Sequence, residues 1–275
     1  MINKKVGIIG YGSMGSMLLE GLIDTSSVSP SNIFVSNRSQ NKLSTLINNE
    51  ITICESNREL ARTCDLVFIC IKPLEIRDLL KDIKDDLSEA THLISIAGSL
   101  TLENIEKIHP GRVSRILPTF ISTIHEGVTL ICHNSRVTKA DEALLEEMLG
   151  RMSTVKYIPE NEFELVSDLT SCAPGLIAEI FKEYVNSALA HTRIDRGEIR
   201  DLLINTLYGT AKLLYEITSD FDEVIQRVTT KGGATEAGIE VLARDLPTVF
   251  DEMFLKTLER QKNRKKLIDE MYLDV

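Results

Sequence analysis

Residues 7–15 read GIIGYGSMG, so Gly10, Gly12 and Gly15 stand in the spacing G-x-G-x-x-G directly after the apolar run 5–9. A strand must enter a tight turn here and leave it as a helix. Each glycine answers a separate demand: Gly10 allows the turn, Gly12 lets the backbone approach a pyrophosphate, and Gly15 lets the helix pack on the strand. The helix then offers unpaired N–H groups and the positive end of its dipole to phosphate. Tyr11, Ser13 and Met14 complete the loop. The spacing alone also fits a plain structural turn. The strand before it and the pattern after it select a cofactor loop.

That pattern is an alternation of short Ile- and Val-rich runs (5–9, 33–36, 66–71, 92–96 and 112–117) with helix-like segments. It signals βα units around a parallel sheet, joined by right-handed crossovers. Ser56 and Glu59 read as a capping box, and Thr101 opens a segment with Leu102, Ile105 and Ile108 at helical spacing. Two more strands, 127–132 and 154–157, bracket a helix over 139–149 and extend the sheet. The expectation is an α/β fold, a Rossmann-like doubly wound parallel sheet, over residues 1–159.

From Pro159 onward the strand signals stop. Ile177, Ile180, Phe181, Tyr184, Val185, Ala188 and Leu189 give a wide apolar stripe, predicting a helix over 176–189 that is buried along its length. Leu202, Leu203, Leu207, Ala211 and Leu214 mark a second helix, 221–228 a third, and 236–244 and 246–272 the last segments. An all-α module over 160–275 with so much apolar surface is small for a core of its own. Packing against another copy is expected, giving a homodimer or a higher homo-oligomer.

Composition narrows the partners. With 31 Lys and Arg against 41 Asp and Glu the formal charge is -10, which argues against a general nucleic-acid or anionic-membrane binder. The basic cluster 262–266 follows an acidic-apolar helical segment and reads as a solvated helix end. Lys4 and Lys5 precede an apolar stretch that breaks at Gly10, and no run approaches the ~18 apolar residues of a membrane span, so a cytoplasmic protein is expected. Five cysteines, an odd number without a C-x-x-C pair, suggest neither a disulfide framework nor a zinc site. His92, His109, His125, His133 and His191 form no triad or metal-ligand spacing, so they read as structural or surface residues and no metal is expected.

The second strand ends in Ser36-Asn37-Arg38-Ser39, with no Asp or Glu to hold ribose hydroxyls. Hydroxyl and amide donors beside a guanidinium suit a 2′-phosphate, favouring NADP(H) while leaving NAD(H) possible. Arg38 also reads as a solvated loop residue, and Asn57 either as a contact for the adenosine end or as a helix cap. Because ligands sit outside the carboxyl ends of parallel strands, Ile71, Lys72 and Pro73 after one strand and Ala97 and Gly98 after another should border the same cleft. Lys72 fits a plain surface position equally well.

Taken in order, GIIGYGSMG, FICIKPLE (68–75), ISIAGSLT (94–101), RILPTF (115–120), EGVTLIC (126–132), SDLTSCAPGL (167–176), YGTAKLL (208–214) and VTTKGGATEAG (228–238) resemble the pyrroline-5-carboxylate reductase family across nearly the whole chain. The resemblance implies NAD(P)H-dependent reduction of the cyclic imine Δ1-pyrroline-5-carboxylate to proline, and a C-terminal domain that dimerises and completes the imine site. It puts Gly232, Gly233 and Ala234 on the loop that contacts the substrate carboxylate and ring, with Thr230 and Lys231 beside it. Thr235 falls on the proton donor or donor relay. A Gly-Gly pair at a helix start suits a carboxylate-binding nest of N–H groups, and equally a helix–helix turn.

Three departures bear on the substrate. Thr119 replaces an amide expected against the nicotinamide, Cys172 lies in a block that usually reads Gly-Ser-Gly-Pro-Ala-Tyr, and Thr230-Lys231 stand where Ser-Pro is usual. Some of these features are similar to a divergent branch related to late-competence proteins of Gram-positive bacteria. Reduction of another imine, reduction of a carbonyl, and NADPH binding without turnover in a regulatory paralogue remain alternatives.

Overall fold

The computed structural model describes residues 2–46 and 50–273 and divides into two compact units, Met1–Pro174 with Thr257–Val275, and Gly175–Lys256. In the first unit, strand β1 (Val6–Ile9) leads through the glycine loop into helix α1 (Ser13–Asp24), followed by β2 (Ile33–Ser36), the two-residue β3 (Thr52–Ile53), α2 (Asn57–Thr63) and β4 (Leu66–Ile69). Then come α3 (Pro73–Ile83), β5 (His92–Ser95), α4 (Leu102–Glu106), β6 (Arg112–Leu117), β7 (Val128–His133), α5 (Lys139–Leu149), β8 (Thr154–Tyr157) and α6 (Phe163–Leu169). The strands form one eight-stranded sheet in the order β3-β2-β1-β4-β5-β6-β7-β8. In the shared register Val6 lies between Ile33 and Leu66.

The central strands β1, β4 and β5 are buried on both faces, as continuous apolar strands require, while the edge strands β3 and β8 are largely exposed. Successive residues serve opposite cores: Ile8, Leu66 and Phe68 join α1 and α5 residues such as Leu18, Leu22, Leu145 and Met148. Ile9, Val67 and Ile69 join Leu60 of α2, Ile76, Leu80 and Ile83 of α3, and Phe163 of α6. The sheet departs from an all-parallel one at β7, which runs antiparallel to β6, while β8 is parallel to β7. The reversal is made by a 3₁₀ turn, Phe120–Ile124, and by His125 and Gly127 in left-handed conformations. At Gly127 a Cβ would strike Thr119 Cγ2, so this return needs glycine as well as positive φ.

Local signals act as their chemistry dictates. The Ser56 hydroxyl accepts from the Glu59 N–H, but the Glu59 carboxylate accepts from the Glu55 N–H instead of closing a full capping box. Thr138 and Asp141 do form one at the start of α5.

The remaining helices are α7 (Ala173–Leu189), α8 (Arg196–Glu216), α9 (Phe221–Val228) and α10 (Ala234–Met271). Two expectations are corrected. The predicted break near residue 245 does not occur: α10 is continuous, with Pro247 inside it. A proline removes one N–H and costs ~3 kcal/mol, which a helix of 38 residues absorbs where shorter segments would end. The helix over 176–189 is not buried along its length. In the single chain Val185 is its one buried residue, and Ile177, Ile180 and Tyr184 are exposed. Among the described residues none of α8 or α9 is buried either, so the apolar stripes of Gly175–Lys256 lack a covering surface in one chain. The last turns of α10 belong to the first unit, where Ile268 and Tyr272 enter the core beside α3 and α4.

Candidate functional site

The glycine loop separates into two structural glycines and one that is not. Gly10 has φ +100, and a Cβ there would lie 2.6 Å from the Cys70 carbonyl oxygen. At Gly15 a Cβ would run into the Gly10 carbonyl, which is the close helix-on-strand packing expected of it. Gly12, at the N-cap of α1, has nothing within 4 Å of the same position. It supplies no side-chain cap either, so the first-turn N–H groups of α1 gain no acceptor from the N-cap residue. No demand internal to the chain excludes a side chain at Gly12. A ligand lying on the backbone would.

The loop is tied to the end of β2 by the Tyr11 N–H, which donates to Asn37 Oδ1 at 3.0 Å. Ser36 Oγ donates to Asn57 Oδ1 at 2.8 Å, crossing to the start of α2. Asn57 is therefore not the cap of that helix, since Ser56 fills that role. Gly10, Ser36, Asn37, Arg38, Asn57 and Ile71 together line an open cleft of ≈ 440 Å³ at the carboxyl ends of β1, β2 and β4, where the strand order reverses. Charge at the cleft is mixed. Arg38 and Lys42 face Glu75, Asp78 and Asp82 of α3, and Arg38 lies 3.4 Å from Glu75.

Other predicted residues are placed differently. Lys72 is exposed at the N-cap of α3, with Pro73 at its first turn, and neither lines the cleft. At the end of β5 Ala97 is buried, its N–H donating to Ser95 Oγ at 3.2 Å. The Gly98 carbonyl accepts from Arg115, a guanidinium 1% exposed that also binds Glu160 and lies over the Phe163 ring at 4.9 Å. Thr119 is buried, and its hydroxyl accepts from the Ile121 N–H at 3.4 Å. In the second unit Gly232 has φ +74 and its N–H donates to Glu236 Oε2 at 2.6 Å, while the Gly233 N–H donates to the Thr230 carbonyl. Lys231, Ala234 and Thr235 are exposed there, around the first turn of α10.

Residue-type reasoning missed the α3 wall. Leu74, Glu75, Asp78, Leu79 and Asp82 line the cleft, and their i, i+3, i+4, i+7 spacing in KPLEIRDLLKDI was the readable signal. It also missed the buried Arg115. Burial pushes the Cys54 thiol up to about 11 and those of Cys64, Cys70 and Cys132 up to about 12, so these are neutral packing groups and not nucleophiles.

Residues 5–99 match the family described as NADP oxidoreductase coenzyme F420-dependent, and residues 160–264 the family described as Pyrroline-5-carboxylate reductase dimerisation. Pyrroline-5-carboxylate reductase 3 of Bacillus subtilis is 34% identical over 259 residues, 94% of this chain and 95% of the relative. The chain belongs to the pyrroline-5-carboxylate reductase family. The members of this family are NAD(P)H-dependent oxidoreductases acting on C=N bonds. ComE operon protein 4 of the same bacterium is 28% identical, over 92% of this chain and 93% of its own length. The fold is shared with a Plasmodium falciparum pyrroline carboxylate reductase solved with NADP bound, at a TM-score of 0.84, 22% identity and coverage of 98% and 99%.

Proposed function

We propose that this chain is a cytoplasmic, NADP(H)-preferring reductase that converts Δ1-pyrroline-5-carboxylate to proline as a homodimer. The observation that carries the reading is the open backbone at Gly12, between two glycines whose neighbours leave no room for a side chain. A glycine kept where the chain itself does not need one fits a pyrophosphate at the start of α1. Residues 10–15 would cradle the phosphates, and Ser36, Asn37, Arg38 and Asn57 would hold the adenosine end. Ile71, Lys72, Pro73, Ala97, Gly98 and Thr119 would border the rest of the cofactor. When bound, NADPH supplies the hydride.

What the chain adds is positioning and exclusion of water, since an imine carbon needs an oriented donor rather than an acid–base pair. Functionally, residues 1–159 carry the cofactor and residues 160–275 dimerise and complete the substrate site. Gly232, Gly233, Ala234, Thr230 and Lys231 bind the imine's carboxylate and ring, and Thr235 delivers the proton to the ring nitrogen. The Gly232 N–H donates to the Glu236 carboxylate at 2.6 Å, which supports a carboxylate as the partner of this turn.

The deciding assay follows NADPH oxidation with Δ1-pyrroline-5-carboxylate, with NADH in parallel and cofactor binding by calorimetry. Turnover is expected. Cofactor binding without turnover would refute the substrate and point to another imine or to a regulatory paralogue. ComE operon protein 4, a relative whose name is not that of a reductase, is similar along nearly its full length.

A further inference from the structure

The end of β2 carries Ser36-Asn37-Arg38-Ser39 and lacks the acid with which an NAD site holds ribose hydroxyls. The cleft nevertheless contains carboxylates, and they come from the opposite wall, α3. Two of the three have cations of their own: Asp82 is paired with Arg58 at 2.8 Å and Asp78 with Arg77 at 3.4 Å. Glu75 has Arg38, at 3.4 Å, and Arg38 is otherwise free to move, its side chain 89% exposed. The guanidinium suited to a 2′-phosphate is thus paired with a carboxylate lining the same cleft.

We infer that Glu75 is a specificity-determining residue for the cofactor, an inference that rests on the dinucleotide reading of this cleft. A 2′-phosphate carries close to two negative charges at neutral pH. To reach Arg38 it must displace Glu75 and remain beside it, so part of the attraction of the guanidinium is cancelled by like-charge repulsion. A 2′-hydroxyl meets the opposite situation. It donates to the Glu75 carboxylate, which then does from α3 what an acid at the end of β2 does elsewhere, and the Arg38–Glu75 pair stays intact. One ion pair therefore serves both cofactors, and the preference for NADPH is narrower than Arg38 alone would make it. Glu75 also suits the positive end of α3, in whose first turn it lies, but that role would influence both cofactors alike.

The test is calorimetric affinity of the full-length protein for NADPH and for NADH, in wild type, Glu75→Gln and Asp78→Asn, with thermal unfolding alongside. Glu75→Gln is expected to tighten NADPH by roughly fivefold at low salt and to leave NADH equal or weaker, with the gain shrinking as salt rises. Asp78→Asn, on the same wall but paired elsewhere, is expected to move the ratio by less than about twofold. An unchanged NADPH-to-NADH ratio in Glu75→Gln, or equal weakening of both cofactors with a lowered unfolding temperature, would overturn the inference while leaving the cleft a dinucleotide site. Failure of wild type to bind either cofactor would overturn that reading and this inference together.

Discussion

The three loop glycines make a residue-scale experiment possible, because one substitution has a different consequence at each. Gly15→Ala drives a methyl into the Gly10 carbonyl and Gly10→Ala adds strain at φ +100, so both should lower the unfolding temperature of the free protein. Gly12→Ala meets nothing within 4 Å and should leave that temperature unchanged while weakening NADPH by roughly tenfold or more, read by calorimetry. Unaltered affinity would remove the argument for this loop. Arg38→Ala should narrow the NADPH-over-NADH ratio, and Thr235→Val should lower turnover more than cofactor binding. The loop and the β2 end were legible because their spacing encodes backbone geometry. The pairings of Glu75 and Arg115 were not, because the partners are far away in sequence: Arg38 lies 37 residues from Glu75, and Glu160 lies 45 from Arg115.

At the scale of elements, the central strands β1 and β4 were readable because both their faces are covered and their residues are almost uniformly apolar. A polar cluster joins β5, β6 and β7, where Ser114 Oγ lies 2.6 Å from His92 Nε2 and 2.5 Å from His133 Nδ1. One hydroxyl proton can be given to only one ring, so the other ring must donate, and the hydroxyl ties the three strands together in either of two proton orders. Burial is the main cause that pushes His92 down to about 4, and it also lowers His133. In the unfolded chain His92 takes up a proton near 6.5, whereas in the folded chain it stays neutral to about 4. Stability is therefore full above pH 6.5 and is lost as pH falls from there toward 4, by up to ~1.4 kcal/mol per pH unit for this group. Urea unfolding across that range should show the slope, and His92→Gln should flatten it. The expected break near residue 245 does not occur in α10, since the cost of Pro247 is outweighed when the helix continues for several turns on both sides.

At the scale of the whole molecule, the two units have opposite packing. The first is closed by the chain's own last turns: Ile268 and Tyr272 are buried, Arg77 donates to the Met271 carbonyl at 2.7 Å, and Asn104 to Asp269 at 2.7 Å. Tyr272→Ala should cost ~3–5 kcal/mol, whereas Tyr272→Phe, which removes a buried hydroxyl without a partner, should be neutral or stabilising in the same denaturation measurement. The second unit, Gly175–Lys256, has one buried residue among those described, Val185, against exposed Leu202, Ile204, Tyr208, Phe221, Ile225, Val241, Leu242 and Val249. Helical periodicity revealed these stripes in the sequence but not what covers them, because an intermolecular partner and an intramolecular core leave the same pattern. In the homodimer proposed above, they supply an apolar interface of the kind obligate assemblies bury. Sedimentation should then give a dimer whose unfolding midpoint rises with protein concentration. Placing a charge in a stripe, as in Tyr208→Arg, should shift the protein toward monomer and lower that midpoint, and a monomeric wild type would refute the assembly.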